Sequence, residues 1–524
     1  MLRLLPPDLD LDRHLAAHPP TFSRFHSDEL VHLLHLVSAI PATNRKMAEK
    51  LDLQLGYVHL SSTRLREWLP NYHEYLQYAV DTNLLETDNH FVVPRDGDVG
   101  KCRGYRFAAR FRKGWDVPLV DGPSCRIVWL KDAAVMRRLN RVRLKQSKLT
   151  KQIRQDYSHL LEWLDPKTTP LRIRQEEALR FIAQERDRVR RDPSLRKPKR
   201  KPGPNGEVVF KDPEEQYDQR FTSVAKLVER DLNTVLDAKV GRLHTTLTNM
   251  SGKLRPFVYA EGYGQLVAID LKNSQPFLAN LLLNPSFYSP FTKGRKGGRV
   301  PLTLQKEGLK VWEEMKKRKN KHSYITLLRI VQRTGNDDIE KFREWTASGE
   351  FYTNVQQALN SQGEQVPFER DDIKVMLFEV LFSRNSTKSM AKTAFAELFP
   401  TVAKVFRTLK VKDHSILPRL LQLLEAHLFL RVITKRIHQR CPHIPLFTVH
   451  DSVVTPVEYA DYVERIMKQE LTKWVGQSPQ FTRSFWGLTQ LSKVAGVAAA
   501  IGPAVEFYSI CLKLRLDGFS TQNQ

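Results

Sequence analysis

The chain has 524 residues, of which 83 are lysine or arginine and 58 are aspartate or glutamate, leaving a formal net charge of +25. A chain of this length can form about two to four domains with cores of their own, and so large a positive charge favours polyanionic partners, because binding phosphates releases condensed counterions. The four cysteines lack C-x-x-C spacing, which argues against a cysteine-based zinc site. No apolar run is long enough to span a bilayer, which argues against a membrane protein. The sequence therefore predicts a soluble, intracellular protein of the cytoplasm.

Residues 1–115 are predicted to form a separate, mainly helical N-terminal domain. Helical patterns come first, and a helix, a short turn and two strands follow them. The strands flank a tip rich in glycine and aspartate and carry Lys101, Arg103 and Arg106. This order resembles a winged-helix module, in which a basic wing touches a phosphate backbone. A helical domain with a surface hairpin is the alternative.

Residues 116–236 are predicted to be a basic helical region that ends in a linker. Closely spaced arginines and lysines lie on helical patterns over 133–190. They indicate either a surface for a polyanion or an ordinary solvated helix face. The segment 192–206, DPSLRKPKRKPGPNG, cannot form regular structure and predicts a linker or an exposed loop.

A short apolar segment in the middle of the chain predicts a strand that ends in a carboxylate. Residues 266–269 are apolar, Asp270 follows them directly, and the next residues predict a helix. Asp270 is then either the cap of that helix or a functional group placed at the end of a strand.

The segment 367–386, PFERDDIKVMLFEVLFSRNS, predicts a helix with a distinctive stripe. Arg370, Lys374, Phe378 and Phe382 recur at four-residue steps, which places them along one side of a helix. Two cations followed by two rings suit a nucleoside triphosphate, since the cations would meet the phosphates and the rings would meet the base and sugar. The alternative is an amphipathic core helix whose apolar face consists of Val375, Phe378, Leu381 and Phe382.

A second carboxylate lies in FTVHDSVVTP, residues 447–456. His450 and Asp451 interrupt two short apolar strands, and His-Asp-Ser is poor turn chemistry for a hairpin tip. Two carboxylates at strand ends, far apart in sequence, are what a two-metal phosphoryl-transfer site needs, with its Mg²⁺ ions about 3.5–4 Å apart.

Together these three segments resemble the palm and fingers motifs of family A DNA polymerases and single-subunit phage-type RNA polymerases. Motif A of that superfamily is a strand ending in a metal-binding aspartate, matched by Asp270. Motif C is His-Asp, matched by His450 and Asp451. Motif B is a helix with Arg, Lys, an aromatic or Met and then Tyr-Gly at four-residue steps, but Phe382 and Ser383 stand in place of Tyr-Gly here.

Two further segments add to the resemblance, which covers residues 237–472. VGRLHTTLTN is similar to the Gly-Arg segment before motif A, so Arg242 would contact the nucleic-acid backbone. RLLQLLEAHLF is similar to the Gln-bearing helix before motif C, and Gln422 would likewise contact nucleic acid.

The resemblance implies an α+β fold: a right-hand polymerase whose palm sheet carries a helical thumb and fingers, preceded by the N-terminal domain. The implied domains are the N-terminal domain at 1–115, a basic helical thumb and linker at 116–236, palm and fingers at 237–490, and a C-terminal extension at 491–524.

The same resemblance assigns roles to the motif residues. Asp270 and Asp451 would be catalytic and bind two Mg²⁺ ions, or Mn²⁺ in their place, and His450 would face the primer terminus. The nucleotide site would consist of the motif B residues and a sugar gate, namely Arg370, Lys374 (also catalytic, on the leaving pyrophosphate), Phe378, Phe382, Gln275 and Phe277.

The choice of sugar is predicted from this gate. Phe382 lacks the hydroxyl of the family tyrosine, so it offers a ribose 2′-OH no hydrogen bond. If Phe277 is the gate, its bulk excludes ribose; if Gln275 is, its amide could accept ribose. The missing hydroxyl of Phe382 and the possible aromatic gate favour deoxynucleotides. The His-Asp-Ser variant of motif C instead favours the RNA polymerase branch.

We therefore expect template-directed nucleotidyl transfer by a DNA polymerase that binds primer-template DNA and nucleoside triphosphates. An RNA polymerase or primase built on the same palm is the first alternative, and RNA would then be a partner. A catalytically inactive nucleic-acid-binding protein is the second. Template chemistry, primer requirement and oligomeric state are not predicted.

Overall fold

The structure is a computed structural model of the chain. It describes residues 2–43, 56–92, 101–111, 126–146, 151–196, 198, 208–211, 213–232, 234–237, 239–288, 323–332, 337–361, 369–411 and 413–487. The predicted C-terminal extension, much of the predicted linker and the predicted wing tip lie outside these residues.

The described strands are β1 (Leu2–Leu5), β2 (Val58–His59), β3 (Leu85–Thr87), β4 (Gly104–Phe107), β5 (Arg126–Trp129), β6 (Leu171–Ile173), β7 (Val235–Leu236), β8 (Leu243–His244), β9 (Val258–Ala260), β10 (Gly264–Leu271), β11 (Phe447–Val449), β12 (Ser452–Pro456) and β13 (Phe481–Trp486).

The described α-helices are α1 (Leu11–Ala17), α2 (Ser27–Thr43), α3 (Ser62–Trp68), α4 (Tyr72–Asp81), α5 (Ala133–Gln146), α6 (Lys151–Asp156), α7 (Ser158–Leu161), α8 (Gln175–Arg191), α9 (Pro213–Val228), α10 (Thr246–Asn249), α11 (Ser274–Ala279), α12 (Ser323–Val331), α13 (Asp337–Ala347), α14 (Phe351–Asn360), α15 (Arg370–Phe382), α16 (Met390–Leu398), α17 (Pro400–Leu409), α18 (Ile416–His427), α19 (Thr434–Arg440) and α20 (Ala460–Val475). None of these helices is both long and apolar enough to cross a membrane.

The chain divides into two compact units that do not follow the predicted boundaries. The first unit is Met1–Lys148 with Leu171–Leu232 and Asn249–Phe257, and the second is the rest. A strand pairing crosses the predicted boundary at 115/116, because β1 pairs antiparallel with β5, with Leu2 opposite Trp129. This pairing ties the start of the chain to the segment that was assigned to the thumb.

The first unit contains a three-stranded antiparallel sheet in the order β2–β4–β3. Helices α3 and α4 lie between β2 and β3 in the chain, and the hairpin between β3 and β4 extends outward to a bridge between Val92 and Lys101. The strand pair predicted around the glycine-rich tip is therefore present.

The cations at the base of this hairpin face the hairpin's own side chains. The Arg106 guanidinium lies 2.7 Å from a carboxylate oxygen of Glu86, and the Lys101 ammonium lies 3.9 Å from Asp88. Both cations are partly neutralised, so a contact of this base with a phosphate backbone stays a prediction.

A buried histidine in α2 makes the stability of the first unit depend on pH. The ring of His32 is stacked on Trp68 at 4.6 Å, and neither ring nitrogen has a hydrogen-bond partner among the described residues. Burial lowers the pKa of His32 well below its ordinary value, and the nearby charge of Arg3 lowers it further. The folded state therefore holds this imidazole neutral.

We expect the first unit to lose stability as the pH falls below about 6.5, because the unfolded chain then binds a proton that folded His32 does not, at about 1.4 kcal/mol per pH unit. Thermal unfolding of the full chain between pH 7.5 and 5.5 measures this loss. His32→Phe should make the dependence less steep and leave the share of His35, whose pKa burial also lowers, whereas His73→Phe, at an exposed position of α4, should leave it unchanged. An unchanged slope in His32→Phe would contradict the assignment.

The second unit is built on an antiparallel sheet whose central strand is β10. β12 pairs with one edge of β10 and β13 with the other, while β11 pairs with β12 and β9 with the start of β10. Residues 266–269 of β10 are all buried, as expected of a strand that is covered on both faces.

Helices cover this sheet and surround its end. α20 packs against β10 and β12, and α18 packs against α11, α15 and α17. The result is the mixed α+β architecture that the sequence predicts. Its finer assignment to palm, thumb and fingers stays a prediction.

Candidate functional site

The register of the sheet brings the two predicted aspartates to the same end. Asp270 lies opposite Ser452 in the pairing of β10 with β12, and Asp451 immediately precedes Ser452. The backbone N–H of Leu271 donates to the carbonyl of Asp451 at 3.4 Å. Because the apolar residues of both strands fix this register, two carboxylates that are 181 positions apart in the printed sequence become neighbours at one end of the sheet.

The turn between β11 and β12 holds an unusual backbone conformation. His450 has φ 56°, in the left-handed region that non-glycine residues rarely adopt. The Ser452 hydroxyl donates to the carbonyl of Val449 at 2.8 Å and closes the turn. His450 is exposed, with its ring centroid 6.3 Å from that of His244. Strain of this kind often accompanies functional positions.

A buried acid that the sequence did not single out lies beside these residues. Glu425 on α18 is 1% exposed. The Arg242 guanidinium donates to its Oε1 through Nε at 2.9 Å and Nη2 at 2.7 Å. The side-chain amide of Gln275 on α11 donates to the other carboxylate oxygen. Glu425 thus ties together three separate segments of the second unit.

The ionisation of Glu425 depends on burial and on two charged neighbours, Arg242 and Asp451. Burial raises the pKa of Glu425 to about 7; Arg242 lowers this pKa and the charge of Asp451 raises it. An acid within an otherwise apolar stretch of a helix, LLEAHLFL, is the sequence signal that could have identified Glu425.

The structure shows the surroundings of Arg242 and Gln422, the two residues predicted to contact nucleic acid. The Arg242 guanidinium is paired with Glu425, and its predicted contact with a nucleic-acid backbone stays a prediction. Gln422 lies half-buried on α18, one turn before Glu425. Its predicted contact with nucleic acid stays a prediction.

The two candidate sugar gates, Phe277 and Gln275, differ in exposure. Phe277 is 0% exposed in α11, so its ring packs in the core, and the suggestion that it excludes ribose stays a prediction. Gln275, two residues earlier in the same helix, is partly exposed. Its Oε1 has no hydrogen-bond partner among the described residues.

Helix α15 begins at Arg370 and presents an apolar stripe to solvent. Glu369 and Asp372 form a capping box at its start. Val375 is 68% exposed and Phe378 is 58% exposed, whereas Ile373, Leu377 and Val380 are buried. The alternative in which Val375 and Phe378 face the core is therefore wrong. Large exposed apolar side chains on a helix beside cations are typical of a surface that meets a ligand.

The two cations of this helix have weak partners. The Lys374 ammonium lies 2.7 Å from a carboxylate oxygen of exposed Asp371. The Arg370 guanidinium lies 6.0 Å from the ring centroid of Tyr352 on α14. Exposed pairs of this kind contribute little stability, so both cations can turn towards a bound anion.

Tyr352 lies beside the start of this helix, and no sequence motif marks it as a site residue. Burial raises the pKa of Tyr352, Arg370 lowers it and the charge of Asp451 raises it further. The charges of Arg370 and Asp451 therefore both act on the Tyr352 side chain. The N-terminal end of α15 and the turn at Asp451 therefore border one region of the second unit.

The C-terminal end of α15 is held by a buried lysine. The Lys410 ammonium donates to the carbonyls of Val380 and Ser383. Burial, followed by the charges of Lys392 and Arg407, lowers the pKa of Lys410 to about 8. A cation is favourable at this end of a helix because the last carbonyls carry partial negative charge.

The donor chemistry of the aspartate pair fits a hard cation. No group of three or more His, Cys, Asp or Glu side chains that could hold a metal occurs among the described residues. Mg²⁺ is commonly bound by one or two carboxylates together with substrate phosphates and water. Asp270 and Asp451 suit this mode and do not form a cage made of protein alone.

No protein-family model matches the chain, and no curated protein matches its sequence. Among solved structures, the chain is similar to the polymerase domain of Pol1 from M. smegmatis in complex with a DNA primer-template and dNTP. The identity is 12%, the TM-score is 0.28, and the match covers 67% of this chain and 73% of that chain. A likeness this weak carries no argument for a shared fold or activity, so the candidate function rests on the residues of the second unit.

Proposed function

We propose that the chain is a template-directed nucleotidyltransferase, and specifically a DNA polymerase that extends a primer with deoxynucleotides. The observation that carries this proposal is the register that places Asp270 and Asp451 side by side at the end of β10 and β12. The net charge of +25 supports a nucleic-acid partner.

In this proposal each group has a distinct role. Asp270 and Asp451 hold Mg²⁺, which when bound supplies charge stabilisation to the attacking and leaving oxygens. Arg370 and Lys374 bind and orient the triphosphate at the start of α15, and Phe378 packs against the base and sugar. Phe382 lines the same stripe, and exposed His450 faces the primer terminus.

The first alternative is an RNA polymerase or primase. The His-Asp-Ser sequence of motif C favours it. A nucleic-acid-binding protein without catalysis is the second alternative. It does not explain why two carboxylates are placed together beside two available cations.

Extension of a labelled DNA primer with Mg²⁺ and dNTPs tests the proposal on a DNA template, on an RNA template and without template. Addition that follows the template base is the expected result. Synthesis from ribonucleotides without a primer would reassign the chain as a primase or RNA polymerase. Tight binding with no product under any condition would favour the inactive binding protein.

Deoxynucleotides should be preferred by about ten-fold or more, because the apolar ring of Phe382 desolvates a 2′-hydroxyl without pairing it. Competition between dNTPs and rNTPs on one primed template measures this preference. Phe382→Tyr should change the ratio, whereas Tyr263→Phe, which removes a hydroxyl in the turn before β10, should not. Preferential ribonucleotide incorporation by the parent chain would contradict the sugar assignment.

A further inference from the structure

The first unit has a helix pair followed by a hairpin, as the predicted winged helix requires, but its second helix does not suit a DNA groove. In a helix-turn-helix the second helix enters the major groove. Here that helix is α4, and its exposed side chains are His73, Glu74, Gln77 and Asp81. Two of these are acids and none is lysine or arginine, so the phosphates that flank a groove would repel this face.

The hairpin next to α4 offers a different kind of surface, in which arginines are stacked on aromatic rings. Three such pairs follow β4 and the residues on either side of it. In each pair the guanidinium carbon lies within 5.2 Å of the ring centroid, and the pairs are Arg103 with Phe91, Arg106 with Tyr57 and Arg110 with Phe111. A guanidinium held against a ring keeps its charge and has its plane oriented in advance.

The outer two pairs are open to a ligand. Phe91 is 56% exposed and the adjacent Val92 is 42% exposed. Arg103 and Arg110 are exposed as well, and neither forms an ion pair with an acid in the part of the chain that the structure describes. The middle pair is less available, because Arg106 is ion-paired with Glu86. An exposed ring beside a cation without a counterion matches a nucleotide, whose base stacks and whose phosphate is attracted.

We propose that these three pairs form a binding surface for single-stranded nucleic acid, with bases stacked on the rings and guanidinium planes and with phosphates against the arginines. A single strand is favoured over a duplex because only unstacked bases expose their faces to side chains. All six residues belong to the first unit, whereas Asp270 and Asp451 belong to the second. The inference therefore does not rest on the proposed function.

Binding of the full chain to a labelled single strand of about 15 nucleotides, at about 0.15 M salt, tests the inference. Oligo(dT) and oligo(rU) distinguish DNA from RNA as the ligand. Phe91→Leu keeps an apolar side chain but removes the ring, and Arg103→Lys keeps the charge but removes the planar group. Each should weaken binding about five-fold or more, because stacking on each base contributes much of the affinity.

Arg64→Ala is the matched control. Arg64 is an exposed cation of α3 in the same unit, and its loss removes a charge without touching a ring pair. Binding should weaken by no more than about two-fold. Since Phe91, Arg103 and Arg64 are all exposed, thermal unfolding of the three variants should match that of the parent chain.

An abasic strand of the same length separates stacking from charge. It keeps every phosphate but offers no base, so the parent chain should bind it more weakly, and Phe91→Leu should cause no further loss. Ultraviolet crosslinking of a strand that carries 5-iodouracil then locates the contact. The labelled peptide of the parent chain should contain Phe91.

Parental affinity of Phe91→Leu and Arg103→Lys for both single strands would overturn the inference. So would an equal loss in Arg64→Ala and Arg103→Lys, which would indicate attraction by diffuse charge, or crosslinks found only in the second unit. Tighter binding of a duplex with the same sensitivity to Phe91→Leu would reassign the surface to duplex DNA. None of these results depends on nucleotide incorporation, so the proposed function can fail while this inference stands.

Discussion

Replacing Asp270 or Asp451 by asparagine is expected to reduce nucleotide incorporation by roughly 10³-fold or more, while nucleic-acid affinity stays within about three-fold. Asparagine keeps the size of the side chain and the strand pairing of β10 with β12, but it removes the charge that the proposed metal ions need. Nucleic-acid binding depends on the basic surface, which neither change touches. Single-turnover incorporation and equilibrium binding measure the two quantities separately.

Asp461→Asn is the matched control for this pair. Asp461 is exposed at the start of α20 in the same unit and is paired with Arg483 at 2.7 Å. Its loss removes one carboxylate without touching the sheet end, so incorporation should remain near that of the parent. Near-normal incorporation by either Asp270→Asn or Asp451→Asn would contradict the metal assignment.

Arg370→Ala and Lys374→Ala should each lower the kcat/KM for nucleotide, by on the order of 2–4 kcal/mol of transition-state stabilisation. The structure gives both cations only weak exposed partners, so their charge is available to a triphosphate. Steady-state kinetics at varied nucleotide concentration measure the loss.

Asp371→Asn and Lys388→Ala are the controls for these cations. Asp371→Asn removes the exposed partner of Lys374 and should leave incorporation unchanged, because such a pair contributes little. Lys388 is an exposed lysine beyond the end of α15, and its loss tests for a general effect of charge. If Arg370→Ala and Lys374→Ala weakened only template binding, α15 would not be the nucleotide helix.

Local sequence patterns predicted the elements that carry the site. The apolar run before Asp270 and the two runs around Asp451 are strands, and the four-residue stripe from Arg370 to Phe382 lies on a helix. These features depend on periodicity and flanking polarity, which short segments contain in full.

The errors arose where tertiary contacts decide the outcome. An aromatic residue in a short helix is equally compatible with a gate or a core position, and Phe277 is in the core. The pairing of β1 with β5 joins segments far apart in sequence, which no local composition shift reveals. Arg242 pairs with buried Glu425, which lies 183 positions further along the chain, and local sequence does not reveal such a pair.

Tyr352 could not be identified as a site residue from the sequence, because its role depends on its spatial neighbours, whereas Glu425 is marked only by being an acid in a largely apolar helix. Glu425 matters because α18 packs against α11 and brings it to Gln275. Tyr352 was identified because the charges of Arg370 and Asp451 both act on its pKa. Tyr352 comes from a segment that carries no motif, whereas Glu425 lies in RLLQLLEAHLF, where only Gln422 was singled out.

The release of pyrophosphate during primer extension tests the central claim most directly. With Mg²⁺, a primed DNA template and the one complementary dNTP, the account predicts one pyrophosphate for each primer lengthened by one nucleotide. The parent chain should do this, and Asp270→Asn should do neither while still binding the primed template. Stable binding by the parent chain with neither lengthened primer nor pyrophosphate would contradict the account.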